Sequence, residues 1–248
     1  MPETIIRLGD CRDLLSTLTP ASVDLAYLDP PFNTGRVHAA EHASFPDRWT
    51  GGSYVAFLRA TIEAVARVLR PHGAILLHCD WRTVHDARGL LDEQFGEAAF
   101  VNHLIWSYGL GGSSPRRFAR KHDDILYYAA GPDYYFDPPL VPATSQRMKG
   151  QMKKATDVLN IPAINNMAAE RVGYPTQKPL ALMDLLVRAC APPDGLVVDP
   201  CCGSGTTIVA ALAAGRRAIG FDVNPAAVAI AHGRLTTLGT PLGTPDRV

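Results

Sequence analysis

Short apolar runs alternate with helical stripes along most of this chain. Thr4 to Leu8 reads as a short strand ending at Gly9-Asp10, and a helix follows it through about Leu18. Val23-Asp24-Leu25-Ala26-Tyr27-Leu28 is a run of buried-strand character. Tyr54, Phe57, Leu58, Ile62, Val65 and Leu69 recur at helical spacing, and Pro71-His72-Gly73 stops that helix. Ala74 to His78 is another strand, and Trp81, Val84, Leu91 and Phe95 fall on or near a further helix. Phe100 to Tyr108 and Ile125 to Ala130 read as an antiparallel strand pair. Beyond Pro179 a helix carries Leu182, Met183, Leu186 and Cys190. Val197-Val198 then forms a strand, Thr206 to Ala214 a helix, Ala218 to Phe221 a strand and Ala226 to Leu235 the last helix. Strands alternating with helices predict an α/β fold, a doubly wound and mostly parallel sheet covered on both faces.

Three stretches lack such a pattern. Residues 33 to 52 are rich in Gly, His and Ala and read as a long loop, of the kind that is usually functional. Residues 109 to 123 form a glycine- and arginine-rich loop between the paired strands, and residues 131 to 170 show no period. The tail from Gly239 is rich in Gly, Pro and Thr and is expected to be loose.

Composition narrows the class. A chain of 248 residues with 47% apolar content builds one domain with a full core. Formal net charge is zero, so attraction to nucleic acid must come from local patches. No stretch approaches ~18 continuous apolar residues, so no membrane span is expected. Met-Pro-Glu-Thr-Ile-Ile has no signal-peptide layout. The five cysteines, Cys11, Cys79, Cys190, Cys201 and Cys202, show no C-x-x-C spacing. No metal site is expected, and reduced thiols of a cytoplasmic protein are the plain reading.

The chemistry concentrates at strand ends. Asp29-Pro30-Pro31-Phe32 closes the Val23–Leu28 run, where open α/β sheets build their sites. A carboxylate with a neighbouring carbonyl can accept hydrogen bonds from an exocyclic amino group, and an aromatic beside it can stack on a planar base. Asp199-Pro200-Cys201-Cys202-Gly203-Ser204-Gly205-Thr206-Thr207 runs from a strand through a glycine turn into an Ala-rich helix. Such a turn lets backbone approach a ligand and opens a helix N-terminus toward it. One βα unit later, Gly220-Phe221-Asp222-Val223 ends a strand in an acid, the place where a carboxylate holds ribose hydroxyls. Ile208 stands where a dinucleotide fingerprint needs its third glycine, which favours a nucleoside-bearing cofactor without pyrophosphate.

With Gly9-Asp10, Phe118-Ala119-Arg120-Lys121-His122-Asp123 and Gly173-Tyr174-Pro175-Thr176-Gln177-Lys178-Pro179 added, the set resembles the amino-group DNA methyltransferases that use S-adenosylmethionine. The order is similar to that of their permuted class, in which the catalytic motif precedes the cofactor motif. The resemblance spans most of residues 4 to 236 and implies a Rossmann-like sheet of seven strands with one antiparallel hairpin.

The resemblance implies roles residue by residue. Asp29, Pro30, Pro31 and Phe32 form the catalytic tetrapeptide, with Asp29 and the Pro30 carbonyl orienting the target amine and Phe32 stacking on an extruded base. Asp10 and Cys11 fall near the cofactor's adenine, although Asp10 is equally a sound helix cap. Asp199, Gly203, Ser204, Gly205 and Thr206 hold its methionine portion and Asp222 its ribose, with Asp29, Cys201 and Val223 as further cofactor-binding residues. Thr176, Gln177 and Lys178 form a further cofactor segment, with Lys178 a partner for the methionine carboxylate. Cys201 departs from the family, which commonly has Phe there and so a thicker apolar wall.

Arg116, Arg117, Arg120 and Lys121 in one loop, and Arg147, Lys149, Lys153 and Lys154 in another, are the candidates for contact with DNA phosphates. The chain then divides into a catalytic half, residues 1–130, a short target-recognition insertion, 131–172, a cofactor half, 173–238, and a flexible tail, 239–248. The 33–52 loop would be a lid over the target base. Asp at the head of the tetrapeptide favours adenine-N6 as target, and cytosine-N4 is the alternative. An inactive nucleic-acid-binding paralogue would lack a reason to keep Asp29, Phe32, Gly203 and Gly205. Expected partners are DNA, a cognate restriction endonuclease and a second copy of the chain, in the cytoplasm with the nucleoid.

Overall fold

The apolar runs pair into one eight-stranded sheet. The computed structural model describes residues 4–237 except 51, 110–112, 144 and 166. The strands in its first half are β1 (Thr4–Leu8), β2 (Val23–Leu28), β3 (Arg36–Ala39), β4 (Ser44–Asp47), β5 (Leu69–Cys79) and β6 (Phe100–Ser107). The second half adds β7 (His122–Ala129), β8 (Leu140–Pro142), β9 (Met152–Lys154), β10 (Val158–Asn160), β11 (Leu196–Asp199) and β12 (Arg217–Asp222). Six helices accompany them: α1 (Cys11–Ser16), α2 (Ser53–Val68), α3 (Val84–Phe95), α4 (Leu180–Cys190), α5 (Thr206–Ala213) and α6 (Pro225–Thr237).

Strand order across the sheet is β1-β12-β11-β2-β5-β7-β6-β10. Only β7 runs against its neighbours. Two cores flank the sheet, one under α1, α2 and α3, the other under α4, α5 and α6. The α2 stripe of Tyr54, Phe57, Leu58, Ile62 and Val65 faces the first core, as its spacing predicts. Each such side chain withdrawn from water contributes about 1.5–3 kcal/mol. Leu182, Met183 and Leu186 of α4 face the second core.

Three expectations need correction. Seven strands match those expected, but β10 adds an eighth beside β6. It lies in the stretch without a period because it is three residues long and buries only Leu159. Trp106 Nε1 donates to the Ile161 carbonyl at 2.8 Å and ties this edge down. The same stretch holds an antiparallel β8–β9 pair, with Lys153 opposite Val141 and Lys154 opposite Leu140. Residues 33 to 52, read as a loop, contain the β3–β4 hairpin. Its strands are mostly exposed and show no apolar alternation, so the sequence carried no strand signal. The tail from Gly239 lies outside the described residues.

Register sets the site. Leu8 lies level with Asp222, Asp199 with Gly220, Val198 with Ala26 and Leu28 with Leu77. One step further along the parallel strands, Gly9, Cys201, Asp29 and His78 come to one C-terminal edge. Among the described residues no helix is long and apolar enough to cross a membrane.

Candidate active site

A cavity of about 410 Å³ opens at that edge. Most of the residues singled out in the sequence line it: Asp10, Cys11, Asp29, Pro30, Pro31, Phe32, Thr176, Gln177, Lys178, Asp199, Cys201, Gly203, Ser204, Thr206, Asp222 and Val223. Gly205 stands behind the wall instead. It begins α5 at φ +75°, and a Cβ there would come within 2.9 Å of Ala231 Cβ. Gly203 also has positive φ, and a Cβ there would meet the Tyr174 ring at 3.0 Å. Glycine is therefore required twice in one turn, by backbone conformation and by space.

Hydrogen bonds hold this turn. Asp222 Oδ2 accepts from Gly203 N at 2.8 Å, and its Oδ1 accepts from Asn224 N at 2.8 Å. Burial still raises the Asp222 carboxyl above its ordinary range. Arg234 of α6 donates to the Ser204 carbonyl and the Thr206 hydroxyl, at 2.8 and 2.9 Å. Asp199 is buried and accepts from Cys201 N at 3.1 Å. Burial foremost, with the charge of Asp29 adding, pushes its carboxyl up to about 7. Cys201 is half-buried at the position where the resemblance implies Phe, and it lines the cavity together with Cys11. Two sulfurs thus build the wall where the larger ring was expected.

Asp10 caps α1. Its carboxylate accepts from Arg12 N at 2.9 Å and is gripped by the Arg12 guanidinium at 3.0 and 2.7 Å, which holds it below its usual range. Gln177 is spent on backbone, accepting from Val172 N and donating to the Glu170 carbonyl. This folds the segment that presents Lys178, and it leaves Thr176 at φ +60°, a strained conformation typical of sites.

Lys178 lines the same cavity. Its ammonium is ion-paired with Asp29 Oδ2 and lies 5.4 Å from the Phe32 ring centroid. The cause is electrostatic: both side chains are largely withdrawn from water, and opposite charges there pair. Asp29 Oδ1 is turned toward His78, whose Nδ1 lies 4.0 Å away.

His78, Tyr27 and Asp123 were not singled out as site residues. His78 is fully buried between Tyr27, whose hydroxyl is 2.6 Å from Nδ1, and Asp123, whose Oδ2 is 3.3 Å from Nε2. Its ring also lies 5.6 Å from that of Phe32. The available signal was a lone polar residue at the C-terminal end of an apolar strand beside the tetrapeptide strand.

The β3–β4 hairpin walls the cavity. Buried Asp47 accepts from Asn33 N, Thr34 N and the Thr34 hydroxyl, at 2.7, 3.0 and 2.6 Å, and so clamps the hairpin to the tetrapeptide. The far end reaches the other half of the site. His42 N donates to the Gly173 carbonyl, the Phe45 ring stacks on Tyr174, and Asn224 Nδ2 donates to the Ser44 carbonyl. The hairpin thus also reaches the Gly173–Tyr174 segment and the residues that follow Asp222.

The basic candidates lie on two other surfaces. Arg116, Arg117 and Arg120 are exposed on the β6–β7 loop, at the same sheet edge. Arg120 stacks 3.5 Å from the Trp81 ring centroid, and Lys121 donates to the Gly109 carbonyl. Arg147, Lys149 and Lys154 are exposed, and Lys153 half-buried, on the β8–β9 hairpin.

The sequence and the fold both match known proteins. A family profile described as DNA methylase matches residues 23–233. Type II methyltransferase M.ScaI of Streptomyces caespitosus is 27% identical, the match covering 94% of this chain and 81% of the relative. DNA adenine methyltransferase YhdJ of Escherichia coli (strain K12) is 26% identical over 90% of this chain and 79% of the relative. Among solved structures, the PvuII DNA methyltransferase (cytosine-N4-specific) superposes with a TM-score of 0.71 at 18% identity, covering 99% of this chain and 88% of that one. The M1.HpyAVI–SAM complex superposes with a TM-score of 0.68 at 21% identity, covering 94% and 98%.

Proposed function

The chain belongs to the DNA methylase family, and from that premise we propose that it transfers a methyl group from S-adenosylmethionine to the exocyclic N6 of an adenine flipped out of DNA. The observation that carries this reading is the shared cavity. Asp29 and Phe32 line the same space as the glycine turn and Asp222, so an amine acceptor and a nucleoside-bearing donor meet there.

The residues present fit that donor. Gly203 keeps the Tyr174 side of the cradle open, and Asp199 and Asp222 offer carboxylates toward a cationic ligand with ribose hydroxyls. The cavity volume falls in the usual range of about 300–1,000 Å³ for small-molecule sites. Asp222 and Val223 would hold the ribose, Asp10 and Cys11 the adenine side, and Asp199 with Gly203 to Thr206 the methionine portion. When bound, S-adenosylmethionine supplies a methyl group already activated on a sulfonium sulfur.

The protein's task is then alignment and exclusion of water. An aromatic amine is a poor nucleophile because its lone pair is delocalised into the ring. Asp29 Oδ1 accepts one N–H and the Pro30 carbonyl the other, which favours a pyramidal nitrogen with its lone pair directed at the methyl group. Phe32 stacks on the base and fixes its plane. Lys178, ion-paired with Asp29 beside the Phe32 ring, keeps that pairing when a base covers the ring.

DNA is held by Arg116, Arg117, Arg120 and Lys121 on one side and by the β8–β9 hairpin with Arg147, Lys149, Lys153 and Lys154 on the other. Residues 131–172 then serve as a short target-recognition element built onto the sheet edge. A cognate endonuclease belongs to the same reading, because type II methyltransferases such as M.ScaI are among the relatives, and a second copy of the chain is a further proposed partner.

Methyl transfer from labelled S-adenosylmethionine to unmethylated genomic DNA, followed by nucleoside mass spectrometry, tests the reading. N6-methyladenine supports it. N4-methylcytosine would keep the mechanism and move the target base. Absence of any methylated nucleoside with the cofactor bound would overturn it.

A further inference from the structure

Resting on the proposed reaction, we infer that His78 receives the proton released by the target amine and holds it behind Asp29 until the methylated base departs. When the amine nitrogen bonds to the methyl carbon, the carbon–sulfur bond breaks and its electron pair stays on sulfur. The nitrogen then carries a positive charge and must shed one proton. In a pocket closed by DNA and Phe32 that proton needs an acceptor other than water. Asp29 faces the amine, but a neutral Asp29 would lose its pairing with Lys178 and is a poor final holder.

His78 stands directly behind it. Its ring is fully buried, level with Asp29 on the neighbouring strand, and its Nδ1 is 4.0 Å from Asp29 Oδ1. A shift of about 1 Å turns that separation into a hydrogen bond. The other partners define its resting form. Asp123 can only accept once ionised, so Nε2 carries a hydrogen toward Oδ2 at 3.3 Å. Asp123 is held in place by this ring and by the Tyr108 hydroxyl, which donates to its Oδ1 at 3.3 Å. Burial pushes the Tyr27 phenol well up, so it stays protonated, and its hydroxyl lies 2.6 Å from Nδ1, able to donate to it or to accept from it. The relay needs His78 to start as the neutral Nε2–H form, and Nδ1 takes the proton as the Tyr27 hydroxyl turns from donating to accepting.

Once protonated, the imidazolium lies between two carboxylates, Asp29 and Asp123, and opposite charges at this range stabilise it. Other charged or titratable groups around it are Lys178 from the segment before α4, paired with Asp29, Tyr108 beyond β6, bonded to Asp123 at 3.3 Å, and Asp80 at the end of β5. Asp29 regains its charge and its lysine. The balance closes as one methyl transferred, one proton held on Nδ1, and one neutral methylamine and one thioether formed. His78 touches neither base nor donor and acts through Asp29, so it is a positioning residue.

Single-turnover methyl transfer to unmethylated plasmid DNA, at saturating S-adenosylmethionine across a range of pH, tests this. Wild type should slow on the acid side, because a His78 already protonated cannot accept. His78→Gln keeps a donor toward Asp123, and should bind the cofactor as wild type does. Its rate should fall roughly 10- to 100-fold, and the acid inflection should vanish. Asp123→Asn leaves the ring in place but removes one stabilising charge, so the inflection should move to lower pH. If His78→Gln does not fold, Asp123→Asn carries the test. An inflection unmoved by the variants, or a His78→Gln rate within about threefold of wild type, overturns the relay. Failure of wild type to methylate DNA at all would instead remove the underlying reaction, and the relay with it.

Discussion

Asp199→Asn should make the protein more stable and a poorer cofactor binder. The wild-type carboxyl is 2% exposed and is pushed from 3.8 to about 7, chiefly by burial. Because the folded value is raised, the fold prefers the neutral acid. The destabilisation is absent below about pH 4, grows by about 1.4 kcal/mol per pH unit toward 7, and is constant above. A shift of about three units thus amounts to roughly 4 kcal/mol at pH 8, an order-of-magnitude figure. Asparagine is nearly isosteric, and its carbonyl oxygen can still accept from Cys201 N. Urea unfolding without cofactor should show the variant ahead of wild type by about 2 kcal/mol near pH 5 and about 4 near pH 8. Its affinity for S-adenosylmethionine, by calorimetry, should fall by roughly tenfold or more, the loss of one charged contact. A stability gap that does not change with pH, or a variant less stable throughout, would refute the reasoning.

Asp29→Ala should lower single-turnover methyl transfer by about 10²- to 10⁴-fold while cofactor affinity stays within a few-fold of wild type; loss of cofactor binding would mean that Asp29 serves the donor. Gly205→Ala places a Cβ 2.9 Å from Ala231 Cβ at φ +75° and should cost about 1–3 kcal/mol in urea unfolding; a neutral substitution would show that the turn is not held by this contact. Replacing Arg147, Lys149, Lys153 and Lys154 by Ala should flatten the dependence of log Kd on log salt by about 3 to 4, read by fluorescence anisotropy with duplex DNA; an unchanged slope removes the β8–β9 hairpin from the DNA interface.

Legibility followed the length and regularity of each signal. β2, β11 and β12 and their ends were plain in the sequence, because a buried parallel strand is a near-continuous apolar run and its site residues follow at once. The helix α2 was equally plain from its stripe. The β3–β4 hairpin was hidden, since its hold on the tetrapeptide depends on Asp47 accepting from Asn33 and Thr34 across more than ten residues. β10 was hidden by brevity. Within the site, motif positions brought Asp29, Asp199, Asp222 and Lys178 to one cavity, but pairing of Lys178 with Asp29 joins residues 149 apart. His78 was legible as a strand residue and silent as a site residue, because nothing in a local pattern says which neighbouring strand lies beside it.

A chain with zero formal net charge can still engage a polyanion if its charges are sorted in space. Asp10, Asp29, Asp199 and Asp222 converge on one cavity from the ends of four neighbouring strands of the sheet. Arg12 and Lys178 balance the first two. Asp199 and Asp222 have no ion-pair partner among the described residues, and burial raises both. Negative potential is therefore confined to a recess suited to a cationic donor. The lysines and arginines of the β6–β7 loop and the β8–β9 hairpin stand outside it, largely in solvent. Screening limits exposed charges to about 10 Å at ~0.1 M salt, so DNA on the surface senses the loops far more than the recess. On this reasoning the two halves are separable. Asp199→Asn should leave the salt slope of DNA binding unchanged, and the four-residue β8–β9 replacement should leave cofactor affinity unchanged. Cross-effects in either direction would mean that the acidic recess and the basic rim act as one electrostatic unit.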